Sequence, residues 1–456
     1  MATIAIVGYG QQGQSAYNYW KNPNNSITIC DQSTPTNVPQ GVKTRFGADY
    51  LLDLSSYDLI IRGPAVHPRQ ILDANPEHPE LLSKITTVTN EFFRVCPAPI
   101  IGVTGTKGKG TTSTLIAKIL ENAGFKTHLG GNIGVPPLDM LANNIQPTDL
   151  VVLELANFQL IDLHYSPPIA VCLMVSPEHL NWHSDIYEYI QAKQQMFVHQ
   201  KHTDLAIYNA RNLYSEEIAT ASHSQYRLSY DVPPTGEETV DTRGVYVDGS
   251  DIKMLGTNVC HIDDVALLGR HNLENVCAAI AATWDLVKHK KGAIKKAIKN
   301  FPGLPHRLEI IKQVNGVWYI DDSFGTTPET ALVALQAFKQ PKVMILGGSD
   351  KGADYSELAR GLVGSNVKYV IAVGETGPKI ITALARYDQK GSVGHTVLSP
   401  TNSDMSTIVQ LAAQQATKGD VVLLSPASAS FDMFKDYKDR GEQFKQAVAV
   451  LAQAEK

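Results

Sequence analysis

The chain has 456 residues, 43% of them hydrophobic and 19% charged, with a formal net charge of −5 at pH 7. That length exceeds a single hydrophobic core and predicts two to four domains of an ordinary globular protein, and the acidic balance excludes general nucleic-acid binding through a basic surface. Five scattered cysteines without a C-x-x-C pair argue against a zinc site or a disulfide framework and fit a reducing cytoplasm, and no apolar run reaches the roughly 18 residues of a membrane span.

The chain opens on Met-Ala-Thr-Ile-Ala-Ile-Val-Gly, a strand entering a glycine turn, without the basic-then-apolar order of a signal peptide. Residues 1–98 alternate short strands (Thr3–Val7, Ile27–Cys30, Leu59–Ile61) with helical or polar segments. Gly8, Gly10 and Gly13 form a G-x-G-x-x-G turn between strand and helix, and Asp31 ends the next strand 18 residues after Gly13. This suits a dinucleotide fingerprint with the acid on a ribose. Backbone groups in such a turn recognise phosphate without reading a base, so a nicotinamide cofactor, another nucleotide and an empty turn all remain open. Cys96-Pro97-Ala98-Pro99 reads as a linker.

Residues 99–302 begin with a strand at Ala98–Val103, a glycine loop and a helix over Thr114–Ala123. Glycines let several N–H groups point inward, and the helix N-terminus behind them carries partial positive charge. Lys109 adds a full charge where β- and γ-phosphates would lie. Gly110 directly follows the lysine, so the hydroxyl that binds magnesium comes from Thr111 or Thr112. The segment predicts a nucleoside triphosphate site. Further strands lie at Leu150–Leu153, Ile169–Val175 and Leu205–Tyr208. Glu154 ends one of them, where a carboxylate beside a phosphate loop holds magnesium or else is simply a solvated strand end. His179 follows another strand, and Lys193 lies 14 residues on in a polar helix; taken singly, these read as a structural histidine and a solvated lysine. A polar stretch from 222 to 264 predicts β excursions, Asn272–Val287 a helix, and Phe301-Pro302-Gly303-Leu304-Pro305 a second punctuation. Strands at Val343–Leu346, Tyr369–Val373 and Val421–Leu424 then alternate with helices to residue 456. The fold class is α/β with parallel sheets.

Together these residues resemble the Mur ligases, the ATP-dependent amide-forming family of peptidoglycan synthesis. The resemblance covers essentially the whole chain. It is carried by Gly-Thr-Lys-Gly-Lys-Gly-Thr-Thr (105–112), Gly-Asn-Ile-Gly (131–134), Leu-Glu-Leu-x-x-Phe-Gln-Leu (153–160), Glu-His (178–179) and Lys193. It continues through Gly-x-His-Asn-x-x-Asn (269–275), Gly-Leu-Pro-His-Arg (303–307), Leu-Gly-Gly-x-x-Lys (346–351) and Leu-Ser-Pro-Ala-x-Ala-Ser (424–430).

The resemblance implies three domains. A Rossmann-like domain over 1–98 would bind the UDP moiety, a central P-loop ATPase-type domain over 99–302 would bind ATP, and a Rossmann-like domain over 303–456 would bring the amino acid. It implies catalytic roles for Lys109, Glu154, His179 and Lys193. ATP would lie on Gly105, Thr106, Lys107, Gly108, Lys109, Gly110, Thr111, Thr112, His271, Asn272, Asn275, Arg307 and Asp322. Two Mg2+ ions would be held by Thr111, Glu154, His179 and a carboxylated Lys193, since carboxylation turns a cation into an anionic oxygen ligand. The substrates would contact Gly10, Gln11, Gln12, Asp31, Gly63, Pro64, Asn132, Gln159, Thr326, Lys351, Ser430, Phe431 and Tyr437. A lysine and a hydroxyl suit a dicarboxylate, which needs charge-assisted donors.

The implied reaction joins D-glutamate to UDP-N-acetylmuramoyl-L-alanine in a cytoplasmic, monomeric enzyme without a membrane span. ATP phosphorylates the acceptor carboxylate, the glutamate amine attacks the acyl phosphate, and phosphate leaves. Phosphoryl transfer needs positioning and charge neutralisation, domain closure excludes water, and residues 97–99 and 302–305 are the expected hinges. The residues themselves do not distinguish the glutamate enantiomers. Three departures stand out: Phe324 replaces a lysine and Thr327 an asparagine of the family's Asn-Asp-Ser-Lys-Ala-Thr-Asn, and Ala156-Asn157 stands where two serines are common. Gly110 resembles the loop of folylpolyglutamate synthases, an alternative that generally lacks the first domain. Rival classes are a nicotinamide oxidoreductase, which leaves Lys109, Glu154 and Lys193 unexplained, and a nucleotide-binding regulator without catalysis.

Overall fold

The computed structural model describes residues 2–288, 290–398 and 404–454, and in it the strand–helix alternation builds three sheets. The first runs Lys43–Phe46, Asn25–Asp31, Ala2–Val7, Leu59–Arg62, Ile85–Thr86, with every neighbour parallel. Successive strands step outward on opposite sides of Ala2–Val7, so the topological switch point, where open parallel sheets take ligands, falls between the ends of Ala2–Val7 and Leu59–Arg62. Gly13, in the helix Gln11–Trp20, lets that helix close on the turn: a Cβ there would lie 2.2 Å from the Gly8 carbonyl oxygen.

The second sheet has nine strands, with Ile100–Thr104 between Ile169–Cys172 and Leu150–Glu154. Every residue of Ile100–Thr104 and Leu150–Glu154 is buried, as continuous apolar runs in parallel sheets require. The predicted β excursion is an antiparallel extension, Val245–Asp248, Asp251–Met254 and Thr257–His261. The helix after the phosphate loop starts at Lys109, five residues before the expected Thr114, and ends at Ala123. Gly110 in its first turn weakens the helical signal and hides that start.

A continuous apolar cluster joins Ile4, Ile6, Ile29 and Phe92 to Val151, Leu153 and Phe197 across the first two sheets. Met1–Val265 with His271–Phe301 therefore forms one compact unit, and Ala266–Arg270 with Pro302–Lys456 a second. The expected division at 98/99 falls inside the first unit. Its Pro-rich segment is packed rather than loose, with Ala98 part of the shared core.

In the second unit the sheet runs Glu309–Val314, Val317–Asp321, Val421–Leu424, Lys342–Gly347, Val367–Val373, Gly394–Leu398, parallel except at the first pair. One face packs on the helices Pro328–Gln336, Ser356–Val363 and Gly377–Tyr387, the other on Met405–Gln415 and Tyr437–Ala454.

Candidate active site

The phosphate loop leaves the strand Ile100–Thr104 and enters the helix Lys109–Ala123 through Gly108, whose φ is +85°. A Cβ at Gly108 would meet Asn275 Oδ1 at 2.2 Å, so glycine is required on both conformational and steric grounds. Asn275, on the helix His271–Val287, accepts from Thr112 Oγ1 at 3.2 Å and donates to Asn272 Oδ1 at 2.8 Å. His271 is exposed at the start of that helix. Thr106 is tied by its hydroxyl to Ser176 and to Tyr189 OH. Lys109 curls back over the loop, with Nζ donating to the carbonyls of Gly105 at 3.0 Å and Thr106 at 2.9 Å. Lys107 stands exposed at the rim, while Gly110 and Thr111 are buried in the first turn.

Lys193 overturns its reading as a solvated helix residue: it is 0% exposed. Its Nζ donates to Gly105 O at 3.2 Å, approaches Thr104 Oγ1 at 3.5 Å, and lies 4.5 Å from the Tyr189 ring centroid. Burial, reinforced by the positive charge of Lys109, pushes its pKa down to about 7. A large share of this amine is therefore unprotonated and nucleophilic near neutral pH.

Glu154 ends its strand in register with Val103 and is likewise buried. Oε1 accepts from Asn132 Nδ2 at 3.1 Å, whereas Oε2 is buried without a hydrogen-bond partner. A buried carboxyl oxygen lacking a partner is costly, and a hard divalent cation is a fitting one. His179 has φ +59°, a left-handed conformation that histidine adopts more readily than most residues. Its ring sits 4.8 Å from that of Phe158. Burial lowers its pKa; Glu178 opposes this, while Lys109 and Lys193 add to it. A neutral imidazole can offer a lone pair to a metal. These residues fit the divalent ions the resemblance implies.

Gln159, expected to line the acceptor, is 1% exposed; it accepts from the Ala156 amide at 3.0 Å and reaches Thr89 Oγ1 at 3.5 Å. Asn157, where a serine is common in the family, gives its Nδ2 to His183 Nε2 at 2.7 Å. In the first sheet, Gly10 caps the helix Gln11–Trp20 without a side-chain hydrogen bond, and Gln12 follows in its first turn. Gln11 Nε2 donates to Gly134 O at 3.2 Å. Asp31 braces the glycine turn: it accepts from the Tyr9 amide at 2.7 Å and from Ser33 N and Oγ at 2.9 and 2.8 Å. Burial alone would raise its pKa, but these donors outweigh it and hold the carboxyl below its usual range. Gly63 is buried against Val7 O, and Pro64 is half-buried beside it.

Residues that the sequence did not single out surround this site. Arg62, 1% exposed, makes a two-pronged contact with Asp162 at 2.6 and 2.8 Å and donates to Phe158 O and Val66 O. His67, His183 and Glu188 gather their side chains nearby. The spacing His179-x-x-x-His183 was the available signal, but one histidine per helical turn is also ordinary core patterning.

In the second unit, Asp322 accepts from Ser425 Oγ at 2.7 Å and from the Leu308 amide at 3.2 Å, and burial pushes its pKa up to about 7. The Arg307 guanidinium lies 3.6 Å from the Phe324 ring centroid, and Phe324 meets Tyr437 edge-on at 5.0 Å. Thr327 caps the helix Pro328–Gln336, a task an asparagine performs equally well. Thr326 is half-buried just before it. Lys351 is exposed with Nζ 5.5 Å from the Phe431 ring centroid, and Ser430 is buried. The Lys351 loop is pinned through Gly348 N to Thr376 Oγ1 at 3.0 Å and Ser349 Oγ to Asp432 at 3.1 Å. Buried Arg440, also missed in the sequence, donates to Ser323 and to the carbonyls of Ser428 and Ala429.

Residues 103–283 match the Mur ligase middle domain, and residues 306–428 the Mur ligase glutamate ligase domain. A UDP-N-acetylmuramoylalanine--D-glutamate ligase of Ruminiclostridium cellulolyticum is 33% identical over 98% of this chain and 96% of its own. One of Symbiobacterium thermophilum is 35% identical over 98% of each. Among solved structures, the UDP-N-acetylmuramate-alanine ligase MurC of Thermotoga maritima aligns with a TM-score of 0.62 at 16% identity, covering 99% of this chain and 100% of that one. The MurF ligase of Thermotoga maritima in complex with ADP aligns at 0.57 and 17% identity, covering 98% and 95%. At such identities the structural likeness bears on the fold.

Proposed function

The chain belongs to the Mur ligase family, and from that membership we propose that it is the ATP-dependent ligase that joins D-glutamate to UDP-N-acetylmuramoyl-L-alanine. The supporting observation is the surroundings of the phosphate loop: Lys109 folded over it, Lys193 buried beneath it, and a buried Glu154 oxygen without a partner on the adjacent strand.

The loop amides and Lys109 bind and orient the ATP phosphates and offset their charge. Thr112 is engaged by Asn275, which leaves Thr111 and Glu154 to hold one Mg2+, with His179 and a carboxylated Lys193 for a second. Bound there, the ions neutralise charge on the transferring phosphoryl group and on the acceptor carboxylate. The unprotonated Lys193 amine forms its carbamate by attacking carbon dioxide and losing one proton. Asn132 keeps the Glu154 carboxyl oriented. Asn272, Arg307 and Asp322 serve the nucleoside, and Lys351, Ser430, Thr326, Phe431 and Tyr437 the incoming amino acid. The glycine turn with Gln11, Gln12, Gly63 and Pro64 takes the UDP group. The first two domains, dividing at 98/99, share one compact unit and its apolar cluster, and the third takes over at 302/303. No described helix is long and apolar enough to cross a membrane; water-soluble nucleotide substrates place the reaction in the cytoplasm, and a monomer suffices because one chain supplies every assigned group.

The test is phosphate release from purified protein. It requires ATP, Mg2+, UDP-N-acetylmuramoyl-L-alanine and D-glutamate together, and L-glutamate does not substitute. Equal release without amino acid overturns the reading.

A further inference from the structure

His67, His183 and Glu188 bring ligand atoms within 4.8 Å of one another, which invites a metal. The tautomers argue otherwise. His67 Nδ1 accepts from the Arg69 backbone amide at 3.0 Å, and His183 Nε2 takes the Asn157 Nδ2 donor at 2.7 Å. The ring nitrogens that face Glu188 therefore carry hydrogens instead of lone pairs. Burial lowers the pKa of both rings, that of His183 to about 4, so both are neutral at neutral pH.

The cluster is a hub of donors around one carboxylate. Glu188 Oε2 accepts from the Ser184 amide at 2.8 Å and from His183 Nδ1 at 3.3 Å. His67 Nε2 lies 3.4 Å from the same oxygen with its N–H turned to that side but short of a hydrogen bond. Arg69 pairs with Oε1. Two of these donors, His67 and Arg69, follow the Gly63–Pro64 loop of the first sheet. The other two belong to the turn after His179. That turn is fastened again to the loop by Trp182 Nε1, which donates to Ala65 O at 3.0 Å. It is fastened to His179 by the amides of Trp182 and His183, both donating to His179 O at 3.0 Å. Glu188 itself rides on the helix Ile186–Val198, five residues before Lys193.

We infer that Glu188 is a positioning residue that ties the nucleotide-sugar loop to the turn and helix presenting His179 and Lys193. The inference rests on the proposed function for the identity of the two sites. Seating the UDP group against residues 63–69 then steadies the second metal site, and the coupling runs through one carboxylate.

The test compares wild type, Glu188→Gln, Arg69→Met and the double variant. Manganese binding is titrated by electron paramagnetic resonance with a non-hydrolysable ATP analogue, with and without UDP, and the manganese that UDP chelates through its own diphosphate is measured in protein-free controls and subtracted. In wild type, UDP tightens the weaker manganese site. In Glu188→Gln that site weakens about tenfold and the effect of UDP disappears. Arg69→Met, altering a half-exposed side chain, gives a smaller loss and adds nothing to the double variant. Should Glu188→Gln fail to fold, the Arg69→Met titration decides alone. A folded variant whose manganese affinity and UDP response match wild type overturns the inference. Because the readout needs no turnover, loss of the ligase assignment would appear separately, as absent phosphate release from wild type.

Discussion

Lys109 and Lys193 donate to the same acceptor, the Gly105 carbonyl oxygen, at 3.0 and 3.2 Å. Two amines this close beside a buried loop cannot both be charged without cost, and the fully buried one yields, with its pKa drawn down to about 7.

That shift fixes a stability dependence. The ordinary lysine value is 10.5, so between about pH 7 and 10.5 the unfolded chain binds a proton that the folded chain does not. Stability from this group rises with pH across that window, and its penalty is complete below pH 7. Lys193→Met is therefore expected to raise the thermal midpoint of ligand-free protein at pH 7 and flatten its rise toward pH 10, while phosphate release is lost. Thermal unfolding in bicarbonate-free buffer measures this. A midpoint lowered equally at every pH would show that the buried amine carries no such cost.

Asp322 gives the opposite slope in the second unit. Its carboxyl is raised to about 7 from 3.8 by burial, against the help of Ser425 and Leu308. The folded state then holds the extra proton between those values, so this contribution to stability is present at low pH and declines as pH rises toward 7. Asp322→Asn, close in shape, should remove that decline and still raise the KM for ATP about tenfold or more if the carboxylate serves the nucleoside. Unfolding midpoints from pH 4 to 8, beside ATP titrations of phosphate release, separate the two effects. An unchanged KM would detach Asp322 from ATP.

Phe324 occupies the place of a family lysine, yet it carries the Arg307 guanidinium on its face at 3.6 Å. Such a contact contributes roughly 0.5–2 kcal/mol depending on exposure. If Arg307 serves the nucleoside, Phe324→Ala should raise the KM for ATP from a few-fold to about tenfold by removing one support of its guanidinium. Phe324→Lys should do worse, since it sets a second cation against the first. Steady-state kinetics of the pair decides, and a lysine variant equal to wild type would dismiss the stack.

The parallel sheets and the phosphate loop were legible because apolar runs ending in glycine have few structural readings. Lys193 was not legible by itself: its helix contains Gln191, Lys193, Gln194 and Gln195, and only the packing against Thr104, Gly105 and Tyr189 removes it from water. The packing around the expected division at 98/99 was hidden for a related reason. Prolines flank Ala98, but the first helices and the central sheet bury one continuous apolar surface that local punctuation cannot report. Arg62 and Glu188 escaped notice because the opposite charges they pair with, Asp162 and Arg69, lie 100 and 119 residues away along the chain, and no local spacing encodes such pairs.

Glu154 offers the sharpest separation of binding from folding. Its Oε1 is satisfied by Asn132, and its Oε2 is buried without a partner. Glutamine at this position preserves the contact with Asn132 and replaces only the orphaned oxygen. Glu154→Gln should therefore fold and, without ligands, stay close to wild type in stability, because it exchanges one unpartnered buried acceptor for an unpartnered buried donor. It should require a much higher Mg2+ concentration for half-maximal phosphate release and lose about 100-fold or more in kcat, since a neutral amide is a poor ligand for a hard cation. Thermal unfolding with and without Mg2+ and ATP tests both halves: the stabilisation by the pair is expected to shrink in the variant while the ligand-free midpoint holds. If Mg2+ dependence is unaltered, the orphaned oxygen is not a metal ligand, and the charge on the phosphates must be met elsewhere.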